Sequence, residues 1–272
     1  IGSWPLQSIT AAPSSKPASS FLPVIFRIVK YVLHDILRSR IAIGYTLFLL
    51  VAAAGLFNIG GDVNKGLVSI LSVVLMLVPL MSLVFATIHF YNSYEFIELL
   101  SSQPLKRTTI LLGEYLGVTA ALCTAFLIGV GTPIALYDRS VTGLSIVGTG
   151  VLLTFVFVAI AFLSAVCTRD KARGMGVALL LWFFFALIFD GLVLFILFYF
   201  QDYPLEKATI AMVALNPIDL ARTIVLLQMD VSALMGMTGA IMQEFIGSAV
   251  GISYSVGVLL LWIVIPLALA GV

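Results

Sequence analysis

The chain has 272 residues, of which 61% are hydrophobic and only 10% charged, with a formal net charge of +1 and two cysteines; its mean hydropathy is +1.17. A soluble domain carries roughly 25% charged residues, so this chain cannot cover a water-facing surface, and lipid must be the solvent for most of it. A soluble enzyme, a disordered regulator and a secreted disulfide scaffold are excluded.

Residues 1–20 are rich in Ser, Pro and Ala without periodicity, and read as a disordered tail or an artefact of gene-start assignment. There is no initiator methionine, and the chain stops at Ala270-Gly271-Val272 without a polar tail, as a fragment would. Over Phe21–Arg40 the basic set Arg27, Lys30, His34 and Arg38 recurs at helical spacing, opposite an apolar set that includes Ile28, Val32 and Ile36. That pattern predicts a basic amphipathic helix lying in the inner membrane interface and feeding the first span.

Six windows are long and apolar enough to cross a bilayer, which takes roughly 20 residues. They are Ile41–Phe57, Gly66–Tyr94, Tyr115–Tyr137, Ser140–Thr168, Gly174–Gln201 and Phe245–Val272. The runs are continuous rather than alternating, so helices and not a barrel are expected. The fold class is an all-α polytopic membrane protein. With the N-terminus in the cytoplasm, ten of the Lys and Arg residues fall inside and four (Lys65, Arg139, Lys207, Arg222) outside. The positive-inside rule then places both termini in the cytoplasm.

Two stretches between the spans carry pattern. In the connection after the second span, Tyr94, Glu95, Phe96, Glu98 and Leu99 form a short amphipathic helix that Pro104 must end. It reads as a bar along the inner surface, offering acidic and aromatic groups to a soluble protein. Between the fifth and sixth spans, Asn216-Pro217-Ile218-Asp219 reads as a turn and helix start. One or two short helices are expected there, at the outer interface or dipping into it. Five of the eight methionines fall in this outer segment, among them Met235, Met237 and Met242. Thioethers select Cu(I), but methionine also fills gaps in apolar surfaces, and no ligand geometry can be read. These three are weak copper candidates, and no metal site is assigned.

Inside the spans the single charged residue of the fifth window is Asp190. An ionised carboxylate near mid-span costs on the order of 2.5–3.5 kcal/mol. It must find a donor, face water or be protonated, and serves either a working cycle or a packing contact. Gly113-x-x-x-Gly117 and Gly247-x-x-x-Gly251 permit close helix approach. Pro79, Pro133 and Pro266 favour kinks. The chain has no G-x-x-x-x-G-K-[ST] phosphate loop. Gly143-Leu-Ser145 lacks the following glycine of an intramembrane serine protease, and no span supplies a partner histidine. No catalytic constellation remains, so an enzyme is not expected.

The run Ile97-Glu-Leu-Leu-x-x-x-Pro-Leu-x-Arg-x-x-Ile-Leu-Leu-Gly113 resembles the coupling region of type-2 ABC transporter permeases. The likeness extends over the order of elements from Phe21 to Val272: elbow helix, two spans, coupling helix, three spans, outer segment, final span. A narrower likeness lies in Arg173–Asp190 and Leu215-Asn-Pro-Ile-Asp-Leu220. These stretches resemble the permeases that serve maturation of nitrous-oxide reductase. Asn92-Ser93-Tyr94 replaces the acidic run that often precedes the coupling helix. Glu114 stands where a lysine is common, and reads as an anion matched to a first helical turn.

The resemblance implies an ABC-2 type transmembrane domain over residues 21–272, working as a homodimer in a bacterial or archaeal cytoplasmic membrane. ATP would be bound by a separate cytoplasmic subunit docked on Tyr94–Leu99, with no cofactor on this chain. An extracytoplasmic β-helical assembly protein would be a further partner, and copper–sulfur site maturation the purpose. Nucleic acid is not an expected partner. A non-transporting membrane scaffold for the assembly factor uses the same parts. A secondary transporter is poorly supported by one central acid and no evident internal repeat.

Overall fold

The structure, a computed structural model, describes residues 21–59, 63–93, 107–168, 170–200, 206–229 and 248–271. Among these residues all regular structure is helical, as the continuous apolar runs predict. We number the helices α1 (Phe21–Leu37), α2 (Arg40–Ile59), α3 (Val63–Asn92) and α4, which starts at Arg107–Phe126, passes through a π-helical turn at Leu127–Gly131 and ends as Thr132–Tyr137. Then come α5 (Val141–Cys167) and α6, built as Lys171–Phe183, a π-helical turn at Phe184–Ile188, and Phe189–Tyr199. The short pair α7 (Glu206–Ala214) and α8 (Pro217–Gln228) precedes α9 (Ser248–Ala270). Six helices are long and apolar enough to span a membrane: α2, α3, α4, α5, α6 and α9. Each overlaps one of the six windows, but α4 begins at Arg107, eight residues before the window that opens at Tyr115, because Glu114 and the polar residues before it also fold as helix.

The core is built around α5, whose Leu153, Phe157 and Phe162 are fully buried. α3 packs along one side of it and α9 and α8 along another. The short side-chain hydroxyls of this helix, such as Thr154, bond back to carbonyls four residues earlier, so they cost nothing in the apolar interior. Ser145 does the same to Val141.

Helix ends follow from local chemistry. Ser140 caps α5 by accepting from the Gly143 amide, and Asp170 caps α6 through the Arg173 amide. Pro79 lies buried within α3. Three residues earlier, the carbonyl of Met76 accepts a bond from Trp182 Nε1 at 3.0 Å, which ties α6 to α3 beside the proline.

The amphipathic helix α1 buries the side the sequence assigned to it: Ile28, Val32 and Ile36 are buried, while Arg27, Lys30, His34 and Arg38 are exposed. Its partner is α4. A Cβ on Gly113 would lie 2.9 Å from Ile28 Cγ2, and one on Gly117 only 2.6 Å from Val32 Cβ. The two contacts advance by four residues on both helices, so α1 and α4 run in the same direction here. The first glycine pair therefore seats a helix of the same chain, not a second subunit; Gly247 of the other pair lies outside the described residues.

Candidate functional site

Asp190 lies in α6, two residues after the π-helical turn Phe184–Ile188 and nine before the helix ends at Tyr199. At 1.5 Å per residue that is about 14 Å from the end of α6, in the half of the helix that approaches α7 and α8. The carboxylate is not alone. Its Oδ2 accepts from Arg222 Nη1 on α8 at 3.1 Å, and the same nitrogen donates to Asp219 Oδ1 at 3.1 Å. One guanidinium therefore lies between two carboxylates.

Asn216 organises the α8 side. Its Oδ1 accepts from the Ile218 amide and caps the helix. Its Nδ2 is within 3.0 Å of both Asp219 Oδ2 and the backbone oxygen of Phe185. Phe185 belongs to the π-helical turn, where the change of register disturbs the regular carbonyl ladder. Asn216 supplies a donor to that buried oxygen and is itself fully buried. The Phe185 ring makes edge contacts with Phe157 of α5 and Trp262 of α9, and Trp262 Nε1 donates to the Ala214 carbonyl at the end of α7. Five helices, α5 to α9, thus meet at one aromatic and polar joint.

α7 and α8 are bent by 112° at Ala214–Pro217. Neither is long enough by itself to cross about 30 Å of hydrocarbon, although together they are apolar enough to form one broken span or a re-entrant pair. One or two short helices are expected between the fifth and sixth spans, and this is such a pair. Asp219 sits on it, outside the six spanning helices. Burial pushes the Asp219 carboxyl above the usual carboxylate range; the neighbouring Asp190 adds to the rise and Arg222 opposes it.

The joint holds no nucleophile with a base, and no group of three His, Cys, Asp or Glu among the described residues could hold a metal ion. What it can do is fasten α6 to the α7–α8 pair through groups that must separate together. Replacing Asn216 with alanine should therefore cost more than a lost helix cap. The Phe185 oxygen and one Asp219 oxygen would also lose a buried donor, for a total of about 2–3 kcal/mol. Thermal unfolding in detergent measures this; a loss below 1 kcal/mol would mean water replaces the amide.

A second polar group closes the opposite end of the bundle. His89 Nε2 of α3 lies 3.1 Å from Glu114 Oε2 of α4. Nearby, Tyr91 Oη donates to the Thr168 carbonyl at 2.8 Å, and Lys171 Nζ donates to Asn92 Oδ1 at 2.8 Å. These contacts tie the end of α3 to α4 and to the α5–α6 connection. Glu114 corrects the sequence reading: it lies two turns into α4 and is 1% exposed, so it is a buried partner of His89 and not a first-turn anion.

Of the residues singled out in sequence, Asp190 is brought into the joint. Tyr94, Glu95, Phe96, Glu98 and Leu99, and the methionines Met235, Met237 and Met242, lie outside the described residues. Of the other methionines of the outer segment, Met229 is buried in the core and Met212 packs against Phe189, Val193 and Leu197. Arg222, Asn216 and the His89–Glu114 pair were missed as partners. For Arg222 a signal existed: a helix-start motif followed by an acid and a base three residues apart, in a segment facing a span with one lone acid.

Residues 70–272 match the family described as ABC-2 family transporter protein. The chain is 30% identical over 237 residues to a protein of Pseudomonas aeruginosa named probable ABC transporter permease protein NosY, covering 79% of this chain and 86% of that one. It is 28% identical over 221 residues to the protein of the same name from Stutzerimonas stutzeri, covering 74% and 80% respectively.

Proposed function

The chain belongs to the ABC-2 family of transporter proteins, and from that membership we propose that it converts ATP-driven movement of a separate cytoplasmic subunit into rearrangement of its spans. As a permease of this family it is a multi-pass membrane subunit. The reading rests above all on the likeness to two NosY permeases over most of their length, together with a sequence that has no phosphate-binding loop of its own.

In this proposal the ATPase docks on Tyr94, Glu95, Phe96, Glu98 and Leu99, between α3 and α4. Both termini are cytoplasmic, by the distribution of Lys and Arg, and the α7–α8 pair lies at the outer side. The polar ties at the inner end would transmit the push, and the Asp190–Arg222–Asp219 joint would receive it. Two such chains form the working unit. The spans α6 and α9 each have only 17% of their apolar window buried within the chain, against 61% for α4 and α5, which leaves surface for lipid and for a second copy. The purpose, by the likeness to permeases of nitrous-oxide reductase maturation, is supply or signalling for a copper–sulfur site outside the membrane.

Purification of the tagged chain in mild detergent, with identification of what accompanies it, tests the reading. An ATP-binding protein should co-purify, and Glu98→Lys should lose it, or uncouple its ATPase activity, while insertion is unchanged. An accompanying outer protein with no ATPase would favour a membrane scaffold instead. Normal assembly and coupled hydrolysis in Glu98→Lys would reject the docking site.

A further inference from the structure

Where α3 ends and α4 begins, a cavity of about 290 Å³ opens between α1, α3 and α4. Asp35 comes from α1, Ser39 from the break between α1 and α2, His89 and Ser93 from the end of α3, and Glu114 from α4. Among its described lining residues there are two carboxylates and no Lys or Arg.

Glu114 makes this more than an acidic patch. The residue is 1% exposed, and its Oε2 is taken by His89, but its Oε1 has no hydrogen-bond partner. A buried carboxylate oxygen left bare costs about 1–3 kcal/mol or more, so a donor belongs in the space beside it. His89 cannot serve both oxygens, since its Nε2 is already shared between Glu114 and Ser93 Oγ, 3.3 Å away. The hydroxyls of Ser39 and Ser93 offer further acceptors.

The size and the walls choose the class of ligand. About 290 Å³ is the volume of several waters, too roomy for one bare ion. No group of three metal-ligating side chains exists among the described residues, which disfavours a divalent metal. The rest of the wall is mostly apolar, with Ile36, Phe85 and Ile88 among its residues, beside the polar ends of Tyr31 and Asn92. Three N–H donors on a short carbon stem satisfy both halves of such a site.

We propose that this cavity binds a primary ammonium group on a short carbon stem, with Glu114 Oε1 as its main acceptor and Asp35 at its mouth. The same chemistry is carried by a free alkylamine and by the ethanolamine headgroup of a membrane lipid. Occupancy would join the end of α3 to the start of α4, the two helices that flank residues 94–106. Its effect on ATPase docking rests on the proposed function; the binding itself does not.

The test uses the purified full chain and reads melting temperature. In detergent, ethanolamine and propylamine hydrochlorides are titrated at constant ionic strength, with tetramethylammonium, which has no N–H donor, as the control. In nanodiscs, phosphatidylethanolamine is compared with phosphatidylcholine. A saturable rise with the primary amines but not with tetramethylammonium supports the site, and identifies a free amine as able to fill it. A rise only with phosphatidylethanolamine supports the site with the lipid as its source. Glu114→Gln should weaken the response at least tenfold. Should that variant not fold, Asp35→Asn, on an exposed face of α1, should weaken it several-fold. Equal responses to primary and quaternary ammonium, an unchanged response in both variants, or no response in either arm would overturn the proposal. Because the readout involves no ATPase, failure here leaves the proposed function standing, and loss of the ATPase partner leaves the cavity standing.

Discussion

Replacing Arg222 with leucine should cost the folded subunit about 3 kcal/mol, a fall of roughly 10 °C in Tm. The cause lies in what the substitution leaves behind. Asp190 and Asp219 would face each other across an apolar side chain, with their shared donor gone. Asp190 is 31% exposed and Arg222 41%, so this is the low end of the range for breaking a buried pair. Single changes at the acids should be milder. Asp190→Asn leaves Arg222 paired with Asp219 and retains a hydrogen-bonding group of the same size, so its stability should stay within about 1 kcal/mol of the parent. If the joint must open and close as a charged latch, that same variant should lose coupled activity at unchanged stability. Arg222→Lys keeps the charge but not the planar guanidinium whose Nη1 lies between the two carboxylates, and should recover only part of the lost Tm. A Tm within 2 °C of the parent for Arg222→Leu would remove the joint from the account of the fold. Full activity of Asp190→Asn would remove ionisation from the account of the mechanism.

Gly117→Leu should detach α1 from α4. Even the first atom of a side chain at this position would fall 2.6 Å from Val32 Cβ and 2.7 Å from Val32 Cγ1, well inside ordinary contact. Val32 is β-branched, has one favoured rotamer in a helix and is 2% exposed, so it cannot swing aside. The helix itself must move. Overpacking of this kind costs typically 1–3 kcal/mol, and here it also strips burial from Ile28 and Ile36 on the same face. The expected outcome is α1 made accessible: protease cleavage between residues 25 and 38 should rise at least tenfold, with the spans still inserted. Gly117→Ala presses on the same atoms with far less volume and should show a smaller rise in the same direction. Unchanged cleavage in Gly117→Leu would mean that α1 has a seat other than the two glycines.

The number of long apolar helices and most of their limits were legible in the sequence because a bilayer imposes one condition on every spanning segment. Backbone groups must be satisfied within the helix and the side chains must be apolar. That condition is local, so Ile41–Phe57 and Ser140–Thr168 could be read off without knowing a single contact. The apolar side of α1 was legible for the same reason, since periodicity alone separates Ile28, Val32 and Ile36 from Arg27, Lys30 and Arg38. The family was also legible, through the run from Ile97 to Gly113 and the order of the elements. What periodicity cannot carry is which group meets which. Asp190 declared its need for a donor, but its partner stands 32 residues on, past a helix end and on the second arm of a bent pair. The spacing of Asp219 and Arg222 marks a local pair on one helix and does not by itself name α6 as the other partner. Gly113 and Gly117 announced a close approach and left its occupant open; only packing decided that α1, and not a second subunit, fills it. Glu114 looked like a first-turn anion because the sequence alone does not show that the helix begins two turns earlier, at Arg107. It is buried because α3 delivers His89 to the same depth. In this protein the apolar pattern selects the helices, and a few polar groups, each too costly to leave unpaired in a low-dielectric interior, decide how the helices are joined.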